Sequence, residues 1–113
     1  MWRERYGSKY GSKSQVYNGR SYHSKLEAGY AMELDLRKKA GDILGWIPQV
    51  MVNLDVKGKH ICKYYVDFKI LHKDGTEEFV EVKGFATEVW RLKWRLFEAL
   101  FGDDPTVKLT VVK

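Results

Sequence analysis

The chain has few of the residues that announce a common chemistry. One cysteine, Cys62, among 113 residues excludes an internal disulfide and a cysteine-based zinc site, and its place among apolar residues marks a small core side chain. No His-x-x-x-His pair joins His23, His60 and His72 into a zinc set. A phosphate-cradling glycine loop and a serine nucleophile elbow are both missing. No apolar run approaches bilayer length and no signal-peptide core opens the sequence, so an intracellular, cytoplasmic setting is expected.

The composition is globular, with 44% hydrophobic and 14% aromatic residues, and the length suits one domain. A net charge of +5 favours a polyanionic partner. Residues 1–21, "MWRERYGSKYGSKSQVYNGRS", repeat "YGSK" in tandem and show neither helical nor strand period. They are expected to form a flexible arm, in which Arg3, Arg5, Lys9, Lys13 and Arg20 meet phosphates while tyrosines stack on bases.

Residues 22–113 read as one α/β domain. The first helix, "SKLEAGYAMELDLRKKAG", has Ser24 as N-cap, basic residues in its last turn and Gly41 as its stop. Short strands follow in "VMVNLDV" and "HICKYYVDFKIL". Strict alternation would place Cys62, Tyr64, Val66, Phe68 and Ile70 on one face, with Lys63, Tyr65, Asp67 and Lys69 on the other. "HKDGT" then leads into "EEFVEVK". A three-residue loop with Gly75 in the left-handed region sets His72 opposite Thr76, Phe68 opposite Val80, Val66 opposite Val82 and Asp67 opposite Glu81; a two-residue loop would mix the faces. A second helix runs from about Thr87 to Phe101 and ends at Gly102, and "VKLTVVK" forms a last strand. The order is αβββαβ, with the last strand parallel to the third in a mixed sheet flanked by helices.

Asp67, Glu81 and Lys83 then share one patch of sheet. Two carboxylates at close range repel unless a cation lies between them. Mg²⁺ suits such a place, with one or two carboxylates, waters and a substrate phosphate, and Lys83 could hold the attacking water or offset phosphate charge. A solvated charge pair on a plain surface explains the trio equally well. Glu27 completes a capping box with Ser24 yet borders the buried stripe of its helix. Lys93 lies on an apolar arc between Val89, Leu96 and Leu100 on one side and Trp90 and Phe97 on the other. Its ammonium must reach water, a carboxylate or a phosphate, and the patch is one target.

These residues resemble the PD-(D/E)XK nuclease superfamily. Asp67 stands in "YVD", Glu81-Val82-Lys83 gives the E-x-K, Glu27 is on the first helix and Lys93 on the following one. "SKLEAGYAMELDLRKKAG", "YYVDFKI" and "VEVKGFATEVWRLKWRLFEAL" look like a small phage and prophage family of that superfamily, over about residues 22–112. The aspartate follows valine rather than proline, so the named motif is incomplete. The resemblance implies a restriction-endonuclease-like core and a Mg²⁺- or Mn²⁺-dependent endonuclease acting on DNA, of which resolvases of branched DNA such as Holliday junctions are one kind. It implies phage or prophage origin in a bacterial cytoplasm. Asp67, Glu81, the Val82 carbonyl and, in a completing or orienting role, Glu27 would bind the metal. Lys83 and Lys93 would assist catalysis, and Lys69 would add to the basic DNA-binding surface. The alternative is a non-catalytic nucleic-acid-binding module on the same fold. A homodimer would let so small a domain span more DNA.

Overall fold

A computed structural model describes residues 15–113. They divide into two compact units, the first ending at Ala40 and the second running Gly41–Lys113. Two helices and a mixed four-stranded sheet among them make the chain α/β.

In the first unit, strands β1 (Gln15–Tyr17) and β2 (Arg20–Tyr22) pair as an antiparallel hairpin. The end of the expected flexible arm is therefore structured. Asn18 and Gly19 both have positive φ, 51° and 80°, the two-residue turn that Asn-Gly favours because its twist matches the strands. That dipeptide was a legible signal inside a segment whose composition looked featureless. Arg20 is exposed on β2; Arg3, Arg5, Lys9 and Lys13 lie outside the described residues. Helix α1 (Lys25–Lys39) starts where the Ser24 hydroxyl accepts the Glu27 N–H at 3.1 Å. It ends as Gly41 takes a φ of 83°, which glycine adopts without Cβ strain. Glu27, Ala28, Ala31 and Leu34 are its buried residues.

The second unit is built on β3 (Gly45–Val56), β4 (Lys59–Leu71), β5 (Glu77–Val82) and β6 (Val107–Val112), hydrogen-bonded in that order, with α2 (Glu88–Phe101) between β5 and β6. β6 runs parallel to β5 and the other pairs are antiparallel. β3 is longer than its alternating stretch and includes Pro48; as an edge strand it can lose one N–H from the ladder. His72 donates its N–H to the Thr76 carbonyl at 3.0 Å, Gly75 has a φ of 91°, and Phe68 stands opposite Val80. From His72 back to Phe68 the register chosen by matching apolar faces is the one adopted; the expected pairs Asp67–Glu81 and Val66–Val82 lie beyond the end of the ladder.

Strict alternation along β4 does not survive. Tyr64 and Val66 pack with Leu54, Trp94 and Phe97, together with Phe79. Phe68 instead meets Trp46 edge-on at 5.6 Å. Val66, Asp67 and Phe68 are buried in succession, which a strand of fixed parity does not allow. The cause lies at Gln49 and Asp67. Pro48 pairs Phe68 and Val50 pairs Val66, but Gln49 and Asp67 drop out of the ladder and Gln49 adopts a φ of 54°. Both strands turn over together there, so Tyr64 shares the α2 face with Phe79. The partition of β4 by odd and even positions is corrected accordingly.

Helix α2 begins where the Thr87 hydroxyl accepts the Trp90 N–H at 3.1 Å. It seats Trp94 and Phe97 on the sheet. Val89 and Leu92 are exposed, so its buried edge is aromatic rather than the broader apolar arc of the helical wheel.

Candidate metal-binding carboxylate site

The ladder between β4 and β5 ends at Phe68 and Val80. One step further Val82 donates its N–H to Asp67 Oδ2 at 2.9 Å instead of to the neighbouring strand. The expected pairing of Val66 with Val82 is thus replaced by a side chain, and β4 parts from β5 beside Glu81. Tyr64 fills this opening. Its hydroxyl donates to Glu81 Oε1 and accepts the Trp90 indole N–H at 3.0 Å.

Glu81 is 1% exposed, and its Oε2 is buried without a hydrogen-bond partner. Burial first, and the Asp67 carboxylate second, push its pKa up to about 9, against the opposing effects of the Tyr64 hydrogen bond and the Lys83 charge. Burial and the neighbouring Glu81 charge likewise raise the Tyr64 hydroxyl, which stays protonated. The Lys83 ammonium lies 5.0 Å from the centroid of the Trp90 ring, a cation–π distance.

Asp67, Glu81 and Lys83 are therefore brought together. The first two are buried, not surface-polar as strand alternation alone would have it, because the strand turns over at Asp67. Among the described residues no group of three or more His, Cys, Asp or Glu side chains is assembled for a metal ion; the carboxylates that meet here are two. The donors present nevertheless fit a hard divalent cation. Two neighbouring carboxyls, one with an orphaned buried oxygen, repel when both are ionised, and a proton or a bound cation relieves that repulsion. The Val82 carbonyl follows Glu81 in the chain. Glu27 is buried in the first unit, while the other candidates lie in the second.

Lys93 goes elsewhere. Its ammonium donates to the Lys63 carbonyl at 3.3 Å, an ordinary snorkelling outcome for a lysine on a seated helix. Lys93→Met is expected to leave any cleavage unchanged and to alter stability by under about 1 kcal/mol, the scale of one exposed hydrogen bond. Activity assays with thermal melting check this, and a tenfold activity loss would return Lys93 to the site. Lys69 is occupied too, bridging Glu77 at 2.8 Å with its ammonium 5.7 Å from the Phe79 centroid.

Strand and helix period do not mark two residues of the site. Parity puts Tyr64 on the face away from Asp67, among packing residues, and Trp90 lies on the apolar arc of its helix. Glu78, on the other sheet face beside Val80, is 6% exposed; it accepts from His72 Nε2 at 2.8 Å and Thr110 Oγ1 at 2.6 Å. Burial alone would raise its pKa, but the hydrogen bonds from Thr110 and His72 outweigh it and the pKa is lowered. A carboxylate in phase with Val80 and Val82 was the available signal.

Fold and site together define an α/β chain with a buried carboxylate pair and a lysine on a mixed sheet. It belongs to the family described as protein of unknown function (DUF1064), matched over residues 7–113. No curated protein matches it. Among the described residues, no helix is long and apolar enough to cross a membrane.

Proposed function

We propose that this protein is a divalent-metal-dependent endonuclease that hydrolyses DNA phosphodiester bonds. The observation that carries the proposal is the buried carboxyl pair of Glu81 and Asp67 beside Lys83, in which Glu81 Oε2 receives no protein donor. A buried carboxyl oxygen without a donor costs about 1–3 kcal/mol, and a bound cation is one thing that removes such a cost. The resemblance to PD-(D/E)XK nucleases and the net charge of +5 point the same way.

Asp67 and Glu81 would hold Mg²⁺ or Mn²⁺ with the Val82 carbonyl; the ion would supply a polarised water and charge neutralisation at the phosphate. Asp67 accepts the Val82 N–H at Oδ2, which fixes the carboxylate beside Glu81. Glu81 offers Oε2. Lys83 donates from Nζ to the attacking water or to a phosphate oxygen, stabilising charge that grows in the transition state. Arg20 and the basic residues of positions 1–14 draw in the polyanion. Branched DNA as substrate, a homodimer, and a phage or prophage protein working in bacterial cytoplasm are the finer parts of this reading, and they rest on the resemblance.

The test is incubation with supercoiled, linear, single-stranded and four-way-junction DNA, with Mg²⁺ or Mn²⁺ and with chelator. Metal-dependent cleavage is expected, reduced about 10²-fold or more in Lys83→Met with an unchanged melting temperature. DNA binding that persists in chelator, with no cleavage of any substrate, would establish the non-catalytic module instead.

A further inference from the structure

We infer that Tyr64 and Trp90 form a hydrogen-bonded relay that positions Glu81 and Lys83 for a cation, with Trp90 as the shared anchor. The inference rests on the metal reading above and adds two residues to it.

The direction of the relay is fixed by donor chemistry. An indole N–H only donates, so in the 3.0 Å contact the Tyr64 oxygen must be the acceptor. The hydroxyl has one proton, and it goes to Glu81 Oε1. Of the two carboxyl oxygens, Oε1 is therefore occupied, and Oε2 is left buried without a protein donor. Without the hydroxyl either oxygen could turn toward the ion and the carboxyl would lose its fixed rotation. Tyr64 is itself held by edge-on contacts with Trp94 and Phe97, at 6.4 and 5.6 Å, and is 4% exposed. Trp90 stacks on Trp94 at 5.9 Å.

The same indole also carries the Lys83 ammonium over its ring at 5.0 Å. Its N–H orders the carboxyl and its face orders the lysine, so one side chain sets the spacing between the ligand and the group that handles water. Neither Tyr64 nor Trp90 touches the reacting atoms; both are positioning residues. Partners of this kind typically contribute 10- to 100-fold to metal affinity.

The experiment compares wild type, Tyr64→Phe, Trp90→Phe and Lys93→Met by Mn²⁺ binding, read as free-ion electron paramagnetic resonance, and by the indole N–H proton resonance assigned through its loss in Trp90→Phe. Both tyrosine and tryptophan replacements keep an aromatic ring, and melting temperatures confirm folding. Tyr64→Phe is expected to weaken Mn²⁺ binding about 10- to 100-fold and to shift the Trp90 indole resonance even without metal, because its acceptor is gone. Trp90→Phe keeps an aromatic face for Lys83 but loses the N–H, and should weaken binding by up to about tenfold. Lys93→Met should bind as wild type. If wild type binds Mn²⁺ and both aromatic variants bind equally well, the relay is overturned while the metal site stands. If wild type binds no Mn²⁺, the metal reading fails and the relay's role falls with it. An indole resonance indifferent to Tyr64→Phe would also overturn the relay, whatever the metal does.

Discussion

Glu81→Gln should stabilise the metal-free protein, flatten its stability against pH, and abolish metal-dependent cleavage. Glu81 has its pKa raised to about 9, chiefly by burial and then by Asp67, so between the ordinary glutamate range and that value the folded state holds a proton the unfolded state has released. Stability therefore carries no penalty at acid pH and falls as pH rises through this window. At pH 7 the penalty is about 3 kcal/mol by linkage. The carboxamide cannot ionise; its oxygen can still accept from Tyr64, and its amide can donate toward Asp67. The melting temperature at pH 7 should rise by about 5 °C or more, and the difference from wild type should vanish near pH 4. Cleavage should fall at least about 10²-fold, since a neutral amide holds a hard cation poorly. Thermal melts from pH 4 to 9 in chelator, with cleavage assays beside them, measure both. A wild-type melting temperature that is flat over that range would mean that Glu81 is not held protonated by its surroundings.

Phe97→Ala should cost about 3–5 kcal/mol, the usual loss for a fully enclosed aromatic ring. Phe97 is 1% exposed and meets Phe79 and Phe101 at 5.3 Å and Tyr64 and Trp94 at 5.6 Å between centroids. Its removal empties the seat of α2 on the sheet and frees the ring of Tyr64, so a loosened site should accompany the lost stability. Urea unfolding gives the energy. A cost below about 1 kcal/mol would show that the remaining rings close over the gap, a response that well-packed interiors rarely allow.

Local chemistry was enough to place much of this chain. Ser24 and Thr87 capped their helices as their hydroxyls dictate. Gly75 fixed the β4–β5 turn, because only one loop length put Phe68 opposite Val80. The parallel return of β6 followed from a helix standing between two strands of one sheet. Asn18-Gly19 was as local a signal, though its surroundings hid it. The proximity of Glu81 and Lys83 also came from strand period alone.

Other features needed the tertiary structure. That β3 and β4 turn over at Gln49 and Asp67 depends on a left-handed residue without glycine, a conformation that no propensity marks and only the surrounding packing sustains. Because of it Asp67 is drawn inward to the Val82 N–H, and Tyr64 changes from packing residue to Glu81's hydrogen-bond donor. The destination of Lys93 was equally open. A long flexible side chain on a helix can reach several acceptors, and the nearness of the Lys63 carbonyl settled which. Sequence determined the two helices, the order of the four strands of the mixed sheet and the residue types that could meet a cation. Tertiary structure decided which of them are buried together, because burial depends on the turn of two strands and the seating of one helix, and neither is encoded in any single segment.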